Sequence, residues 1–152
     1  MVLNLKHLYD IVGEEIPFDY VIPSDLLGSP SGRRFPDGAG VKGRAYNRAG
    51  VVFLDTDTAF VLETECDRCL KTFTKEFSFA SQRILVRSLN GEDSDDYIVT
   101  ENDVLDLDDA VISEILLQIP AKMLCSDDCR GLCPHCGADL NLGSCGCGGE
   151  EQ

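Results

Sequence analysis

The cysteines are the residues of this chain whose type and spacing could do chemistry. Six of the eight lie in CSDDCRGLCPHCGADLNLGSCGC, at positions 125–147, and Cys66 and Cys69 lie upstream in the segment ECDRC. Clustered thiols form disulfides, carry out redox reactions, or bind iron or zinc, depending on the compartment and on their spacing. The arrangement of these eight residues therefore decides which chemistry is available to the chain.

The cysteines fall into four closely spaced pairs. In chain order, the first pair is Cys66 and Cys69, the second is Cys125 and Cys129, the third is Cys133 and Cys136, and the fourth is Cys145 and Cys147. A structural zinc ion takes four soft ligands in a tetrahedron, and one pair with a short spacing supplies two of them. Four pairs therefore predict two zinc sites that use all eight cysteines. Four thiolates can also ligate iron, which is the less favoured metal here.

Two groupings of these pairs are open. The favoured grouping joins the third pair to the fourth across a short loop and the first pair to the second, because this requires the least reach from the end of the chain. The alternative joins the second pair to the third and leaves the fourth pair to meet the first. In the favoured grouping, a shared metal would tie the start of the cysteine-rich segment to ECDRC.

The start of the chain, MVLNLKHLYDIVGEE, lacks the features of a secretory signal. It has no cationic segment, no unbroken apolar run and no small-residue cleavage site. No apolar run elsewhere reaches the ~18 residues that a membrane-spanning helix requires. We therefore expect a cytoplasmic protein with no membrane contact, in a reducing compartment where clustered cysteines bind metal or do redox work.

Thiol redox chemistry, or a response to metal, is the alternative function. The third pair, in Cys133-Pro134-His135-Cys136, has the sequence of a strongly oxidising disulfide-exchange motif. That chemistry depends on a CxxC motif at a helix N-terminus within a βαβ unit, which lowers the pKa of one thiol. Here Gly137 follows the motif and no helical pattern begins, so structural metal binding is favoured.

The sequence contains no set of residues with the spacing of a catalytic site. It has no P-loop, no GxGxxG motif and no GxSxG motif, and its two histidines are His7 and His135. A zinc enzyme requires an open coordination position beside a base, whereas sites with four cysteines are usually structural. We therefore predict that the protein is not an enzyme, and we expect both histidines near the surface rather than in a site.

The elements that position the cysteines follow from hydrophobic periodicity. An N-terminal helix is predicted over 3–12, and a strand at IPFDYVIP follows it. A flexible loop rich in Gly, Pro and Ser is expected at 28–40. Further strands are predicted at VKGRAY, VVFLDT and AFVLETEC, with turns at NRAG and DTDT between them, and then at TFTKEFSF, QRILVRSL and DYIVT.

The clearest helix lies near 106–119. Asp106 is expected to cap its N-terminus, and Pro120 ends it. Its apolar face is predicted to consist of Val111, Ile112, Ile115, Leu116 and Ile119. The fold class that results is α+β, with an antiparallel sheet or barrel-like β core, a packing helix and a C-terminal cysteine-rich zinc-binding tail.

These elements predict two parts of the chain. The first is a β-rich core domain over 1–124, and the second is the cysteine-rich tail over 125–152. The tail contains few large apolar residues. A segment of that length cannot fold on a hydrophobic core alone, so it requires a metal or a disulfide.

Charge is distributed unevenly along the chain. The formal net charge is −14; residues 33–87 carry ten bases and seven acids, whereas residues 88–152 carry fifteen acids and two bases. Such a surface lacks the basic footprint of a nucleic-acid-binding protein and favours a basic protein partner. The candidates for a local RNA contact are Arg33, Arg34, Lys42, Arg44 and Arg48, but a solvated loop and strand face is the favoured interpretation.

A family resemblance accompanies these patterns. The segments NRAG and ECDRCLKTF, followed by an acidic stretch and by DLDDAVISEILLQIPAKMLCSDDCRGLCPHCGADLN, resemble the YceD family of large ribosomal RNA subunit accumulation proteins, found in bacteria and plastids. The cysteines that match the family motifs are Cys66, Cys69, Cys125, Cys129, Cys133 and Cys136. The resemblance implies a small cytosolic protein linked to accumulation or processing of 23S rRNA and to large-subunit assembly. It implies a large-subunit precursor as partner and no catalytic residues.

Overall fold

The computed structural model describes residues 1–89 and 96–147, so the end of the predicted tail, 148–152, lies outside the described residues. The elements in chain order are β1 (Val2–Asn4), α1 (Lys6–Asp10), β2 (Glu15–Ile22), α2 (Ser24–Leu27), a 3-10 turn (Pro30–Gly32), β3 (Ala39–Arg48), β4 (Val51–Glu65), β5 (Thr72–Val86), β6 (Tyr97–Val99), a second 3-10 turn (Glu101–Asp103), β7 (Val104–Asp106) and α3 (Leu107–Gln118).

The described strands form two sheets. Strands β2 to β6 make a five-stranded sheet in chain order, in which β2 to β5 are antiparallel neighbours and β6 runs parallel to β5. Strands β1 and β7 pair antiparallel in a small two-stranded sheet. Helices packed on a mainly antiparallel sheet are an α+β architecture, which confirms the predicted fold class.

Strand β4 is continuous where the sequence predicted two strands and a turn at DTDT, so that turn prediction is wrong. Its side chains alternate between the core and the opposite face throughout. Thr56 and Thr58 are buried and Asp57 is exposed, in step with the buried Leu54 and Phe60 on either side. Threonine is β-branched and suits an extended backbone, so the two threonines continue the buried row. Strand β5 likewise merges TFTKEFSF with most of QRILVRSL.

The turn predicted at NRAG is confirmed. Arg48 pairs with Val51 as the last pair of the β3–β4 ladder. The two residues between them, Ala49 and Gly50, have φ angles of 55° and 88°. Positive φ at both central residues is the turn geometry that matches the twist of the flanking strands. The side chain of the buried Asn47 accepts the Gly50 N–H at 3.0 Å and closes the turn.

The N-terminal helix is shorter than predicted. The segment 3–12 contains the end of β1 and the short helix α1, while Ile11 and Val12 are 46% and 65% exposed. Leu3 lies in β1 and pairs with Leu105 of β7. This partner is distant in the chain, so the local helical periodicity could not reveal it.

Helix α3 confirms the predicted helix at 106–119. The Asp106 side chain accepts the Asp109 N–H at 3.3 Å, which satisfies an N-terminal donor as expected. The face that is fully buried consists of Leu107, Val111 and Ile115. Leu116, which was predicted to belong to this face, is 46% exposed, and that assignment is wrong. Among the described helices none is long and apolar enough to cross a membrane.

The segment 28–40, predicted as a flexible loop, is anchored to the core. Phe35 is 2% exposed, and its ring lies 5.5 Å from that of Phe60. Arg34 exchanges backbone hydrogen bonds with Glu63 of β4 at 2.9 and 2.8 Å, and the two side chains form an ion pair. A buried aromatic ring and a paired backbone hold this segment despite its glycine and proline content.

Both cysteine-rich segments meet at one end of the fold. The segment ECDRC joins β4 to β5, and the tail begins a few residues after α3. The residues that pack together here are Cys66, Cys69 and Cys129, with Phe73, Leu124, Cys125 and Leu132 around them. The division of the chain into a core domain that ends at residue 124 and a tail that begins at residue 125 stays a prediction.

Candidate metal centre

Four cysteines converge at the end of the β4–β5 hairpin. This inner cluster consists of Cys66, Cys69, Cys125 and Cys129, whose Sγ atoms lie within 4.8 Å of one another. The Sγ–Sγ distances are 3.6 Å for Cys66–Cys129 and 3.6 Å for Cys69–Cys125. A tetrahedral zinc ion with Zn–S bonds of about 2.3 Å holds its sulfurs about 3.8 Å apart, whereas a disulfide requires about 2.05 Å. The spacing of the free thiols therefore fits a metal ion.

The other four cysteines form an outer cluster near the end of the described chain. Its members are Cys133, Cys136, Cys145 and Cys147, and their Sγ atoms also lie within 4.8 Å of one another. The structure thus adopts the favoured grouping of the pairs. Three of the four inner cysteines are buried, whereas Cys133 is the buried member of the outer cluster. Ligation of zinc by all eight residues stays a prediction.

The first and third pairs lie in two turns that have the same backbone conformation. The Leu70 N–H donates to the Cys66 carbonyl at 2.9 Å, and the Gly137 N–H donates to the Cys133 carbonyl at 2.9 Å. The Cys66 and Cys133 N–H groups each donate to a carbonyl at the far end of the turn, both at 2.8 Å. Leu70 and Gly137 have φ angles of 60° and 76°. This turn directs backbone N–H groups at the first sulfur, the arrangement in which a CxxC pair holds a metal.

Backbone donors stabilise one thiolate in the inner cluster. Burial raises the pKa of the Cys66 thiol, but the N–H groups of three neighbours outweigh burial and bring the pKa to about 6. These donors belong to Cys69, Cys125 and Arg68. Burial, together with the neighbouring Cys69 thiol, raises the pKa of Cys125 to about 12. Cys66 is therefore ready to bind a cation at neutral pH, whereas a metal must displace the proton of Cys125.

The outer cluster has the same division between its thiols. The backbone N–H groups of Cys136 and His135, and then the Cys145 thiol, lower the pKa of Cys133 to about 6. The Cys136 thiol and burial raise the pKa of Cys147 to about 12. His135 contributes its backbone N–H, 3.4 Å from the Cys133 Sγ, while the residue is exposed, so its expected position near the surface is confirmed. Each cluster thus contains one thiol with a lowered pKa, Cys66 or Cys133, and one with a strongly raised pKa, Cys125 or Cys147, whose proton a metal must displace.

The first pair is also bonded to the chain that leads into the tail. The Asp67 N–H donates to the Met123 carbonyl at 2.8 Å, and the Met123 N–H donates to the Asp67 carboxylate at 2.6 Å. The Arg68 guanidinium donates to the Cys129 carbonyl at 2.9 Å. Sequence reasoning missed these roles, although Asp67 and Arg68 are the two residues between the cysteines of the first pair. These hydrogen bonds hold the turn of the first pair against the segment that carries the second pair.

Most of the basic residues considered for RNA contact are engaged within the protein. Three have acidic partners: Arg34 with Glu63, Lys42 with Asp19 at 3.7 Å, and Arg44 with Glu15 at 3.0 Å. Arg33 donates to the carbonyls of Pro120 and Ala121, just after α3. Arg48 is exposed beside the β3–β4 turn. These contacts support the interpretation that the five basic residues belong to a solvated loop and strand face.

The chain is similar to curated bacterial proteins. The uncharacterized protein YlbN of Bacillus subtilis is 29% identical over 104 residues, which cover 67% of this chain and 60% of that protein. The uncharacterized protein Rv2926c of Mycobacterium tuberculosis is 29% identical over 80 residues, 50% of this chain and 39% of that protein. The chain thus spans about two fifths of the length of this mycobacterial relative. No solved structure matches the chain.

The family model described as "Large ribosomal RNA subunit accumulation protein YceD" matches residues 54–152. The match begins inside β4 and includes both the turn of the first cysteine pair and the whole tail. It thus includes all eight residues of the two clusters. The chain belongs to the family of large ribosomal RNA subunit accumulation proteins, YceD.

Proposed function

We propose that this protein is a non-enzymatic, cytoplasmic factor for assembly of the large ribosomal subunit, linked to accumulation or processing of 23S rRNA. The observation that carries the proposal is the family match over residues 54–152, which includes both cysteine clusters. Four-cysteine sites with closed coordination suit a structural role, because they leave no position open for a substrate. The protein therefore acts through binding rather than through chemistry.

Two zinc ions stabilise the end of the fold that carries the tail. The inner cluster fits a tetrahedral ion through its 3.6 Å Sγ–Sγ distances, and its cysteines come from segments that are far apart in the chain. An ion that joins such segments contributes to folding, because the unfolded chain does not hold the site together. When bound, zinc supplies charge neutralisation and a tetrahedral crosslink.

Elemental analysis of protein purified without added metal tests the metal content. We expect two zinc ions per chain and thiols that react slowly with alkylating reagents. A single ion, or iron with visible colour, would contradict the two-zinc sites. Metal-free protein with rapidly cycling disulfides would support the thiol redox function instead, since the exposed Cys136 and Cys147 would then be accessible to a partner.

The partner that suits the acidic part of the chain is a basic ribosomal protein on a large-subunit precursor. Residues 88–152 carry fifteen acids and two bases, which disfavours contact with phosphates and attracts cationic surfaces. Asp106 and Asp108 are poor probes of this surface, because the first caps α3 and the second accepts the Tyr20 hydroxyl. Asp127 and Asp128 are exposed and lie beside the inner cluster.

Charge reversal tests this partner. We expect Asp127→Lys with Asp128→Lys to weaken co-sedimentation with large-subunit precursors, mainly through the association rate and more strongly at low salt. The matched control is Glu14→Lys with Glu76→Lys, which reverses two exposed acids outside the tail. Cross-linking of the bound protein identifies the neighbour. Tight binding to naked 23S rRNA with a steep salt slope, unchanged by the tail reversals, would show that the partner is RNA.

A further inference from the structure

Asn141 contacts the inner cluster from the loop between the two pairs of the outer cluster. The residue lies in the tail, between the third pair and the fourth, yet its side-chain Nδ2 lies 3.3 Å from the Cys129 Sγ of the inner cluster. Its Oδ1 accepts the Arg130 N–H at 2.9 Å. Asp139 in turn accepts both the backbone N–H and the Nδ2 of Asn141 at 2.9 Å. The amide is therefore oriented with one donor directed at a sulfur of the inner cluster.

The chain between Cys129 and Asn141 folds back on itself, and the turn of this hairpin holds the third cysteine pair. The Leu140 N–H donates to the Gly131 carbonyl at 2.9 Å, and Leu132 pairs with Asp139. Closer to the turn, the Cys133 N–H donates to the Ala138 carbonyl at 2.8 Å. These backbone contacts extend from the outer cluster to the inner cluster. A fixed conformation of the outer cluster therefore restricts the position of Asn141 beside the inner cluster.

We propose that Asn141 couples the two clusters, so that a divalent metal ion in the outer cluster strengthens metal binding in the inner cluster, and the reverse. The proposal rests on the metal sites proposed above. A metal ion in the outer cluster holds the hairpin closed and keeps the Asn141 amide at Cys129. An N–H donor at a metal-bound thiolate offsets part of the negative charge that four thiolates place around one ion.

The coupling is reciprocal by thermodynamic necessity. If the outer ion raises the affinity of the inner cluster by some factor, the inner ion raises that of the outer cluster by the same factor. A hydrogen bond to a charged group contributes enough stability for a change of about tenfold in affinity. Asn141 is a positioning residue in this account, since it acts on the ion through the Cys129 sulfur.

A double-mutant cycle on the full, reduced chain tests the coupling. Cys145→Ser with Cys147→Ser removes the outer site, and Asn141→Leu removes the donor to Cys129. Zinc affinity of the inner cluster is measured by competition with a chromophoric chelator. We expect the outer-site change to lower inner-cluster affinity about tenfold in the wild-type background and to have almost no effect in the Asn141→Leu background. Leu142→Ala, at a residue that is 88% exposed, is the matched control.

Cadmium-113 NMR supplies a second measurement on the same proteins. We expect the inner-cluster resonance to shift on Asn141→Leu and to show scalar coupling to the Asn141 side-chain protons in the wild type alone. Asn141→Asp retains the acceptor for the Arg130 N–H but loses the donor, and it should lower inner-cluster affinity at least as much as Asn141→Leu.

Three results would overturn the proposal that Asn141 couples the clusters. An equal loss of inner-cluster affinity in both backgrounds would show that the hairpin backbone, not Asn141, connects the sites. If the outer-site change left the zinc affinity of the inner cluster unaltered in both backgrounds, the sites would be independent. In either case the two zinc sites stand. A wild-type chain that binds no zinc would remove both the sites and the coupling.

Discussion

At the scale of single residues, the two CxxC turns differ at the position after the second cysteine. Leu70 and Gly137 occupy the same place in their turns, with φ angles of 60° and 76°. A left-handed backbone is free of strain for glycine but costs a bulky residue of the order of 1–3 kcal/mol. Leu70 is 60% exposed, so little packing offsets that cost.

Leu70→Gly should therefore increase the free energy of unfolding by about 0.5–1 kcal/mol, because relief of backbone strain exceeds the added entropy of the unfolded chain. Gly137→Leu should destabilise the outer turn by a similar amount. No atom lies within 4 Å of a Cβ built at Gly137, so its effect would come from the backbone alone. Urea unfolding of the metal-loaded proteins measures both changes.

Gly146→Ala is the control for these substitutions. Gly146 lies in the same tail without a positive φ, and a Cβ there meets no atom within 4 Å. Its substitution should leave stability within about 0.5 kcal/mol of the wild type. Destabilisation by Leu70→Gly would contradict the strain argument and indicate that the Leu70 side chain makes a favourable contact.

At the scale of elements, Tyr20 connects β2 to the start of α3. Its hydroxyl donates to Asp108 Oδ1 at 2.6 Å, and the N-terminal ammonium lies 2.7 Å from Oδ2. Burial raises the pKa of the Asp108 carboxyl, but the ammonium and the Tyr20 hydroxyl outweigh it and hold the pKa below its usual range. Burial and the Asp108 carboxylate raise the pKa of Tyr20. The contact therefore requires ionised Asp108 and neutral Tyr20.

Tyr20→Phe should lower the free energy of unfolding by about 1.5–3 kcal/mol at neutral pH, because it removes a hydrogen bond to a charged group. The folded-state pKa of Asp108 is depressed, so this contribution is present above the unfolded pKa of about 3.9 and is lost as pH falls through the folded pKa. The difference between wild type and variant should shrink over that acidic window. Urea unfolding at several pH values measures it.

Tyr46→Phe is the matched control for Tyr20→Phe. The Tyr46 hydroxyl accepts an exposed hydrogen bond from the neutral Gln82 amide at 3.2 Å. We expect its loss to cost less than about 0.5 kcal/mol at every pH. An equal cost at Tyr20 and Tyr46 would mean that the Asp108 contact contributes no more than an exposed hydrogen bond.

Asp67 connects the turn of the first cysteine pair to the segment before the tail. Its carboxylate accepts the Met123 N–H at 2.6 Å, and Met123 is 1% exposed. Asp67→Ala leaves that buried donor without its partner and should lower the free energy of unfolding by about 1–3 kcal/mol. The inner cluster should lose zinc faster to a chelator, whereas Asp127→Ala at an exposed position should behave as wild type. Unchanged zinc release from Asp67→Ala would show that the two cysteine pairs are positioned without this contact.

At the scale of the whole molecule, one hydrophobic core and the inner cluster meet at Phe73, which packs against both. The core contains residues of β1, β2, α1 and α3 as well as the central strands, and no cysteine. The sheet should therefore keep its fold without an outer metal, whereas a metal in the inner cluster would join the ends of β4 and β5 to the tail.

Amide hydrogen exchange on two substitutions tests this difference. Cys66→Ser should speed exchange in the tail and at the ends of β4 and β5 that flank the first pair, since losing one ligand leaves the other thiolates without compensation. Cys145→Ser should speed exchange mainly after residue 130. Equal disturbance of the sheet by both substitutions would contradict the separation of the two clusters.

Local patterns in the sequence determined the elements whose signals lie within a few residues. Helix α3 with its Asp106 cap and the turn at NRAG are of this kind, because capping and turn chemistry depend on neighbours in the chain. The same local patterns did not predict the uninterrupted strand β4 or the strand β1. The polar residues of DTDT resemble a turn, and the partner of β1 lies about a hundred residues away.

The sequence by itself determined which chemistry is available, because four cysteine pairs with short spacings are local features and a CxxC pair suits a metal wherever it lies. The spacing favoured the meeting of the first pair with the second but left an alternative open, and the tertiary structure decided between them. Tertiary structure alone placed the Asp67 carboxylate at the Met123 N–H and the Asn141 amide at the Cys129 sulfur. Those contacts join residues of separate segments, and hydrogen bonds and Sγ–Sγ distances of a few ångströms depend on how the β4–β5 hairpin and the tail pack. Spacing along the chain carries no information about those individual contacts.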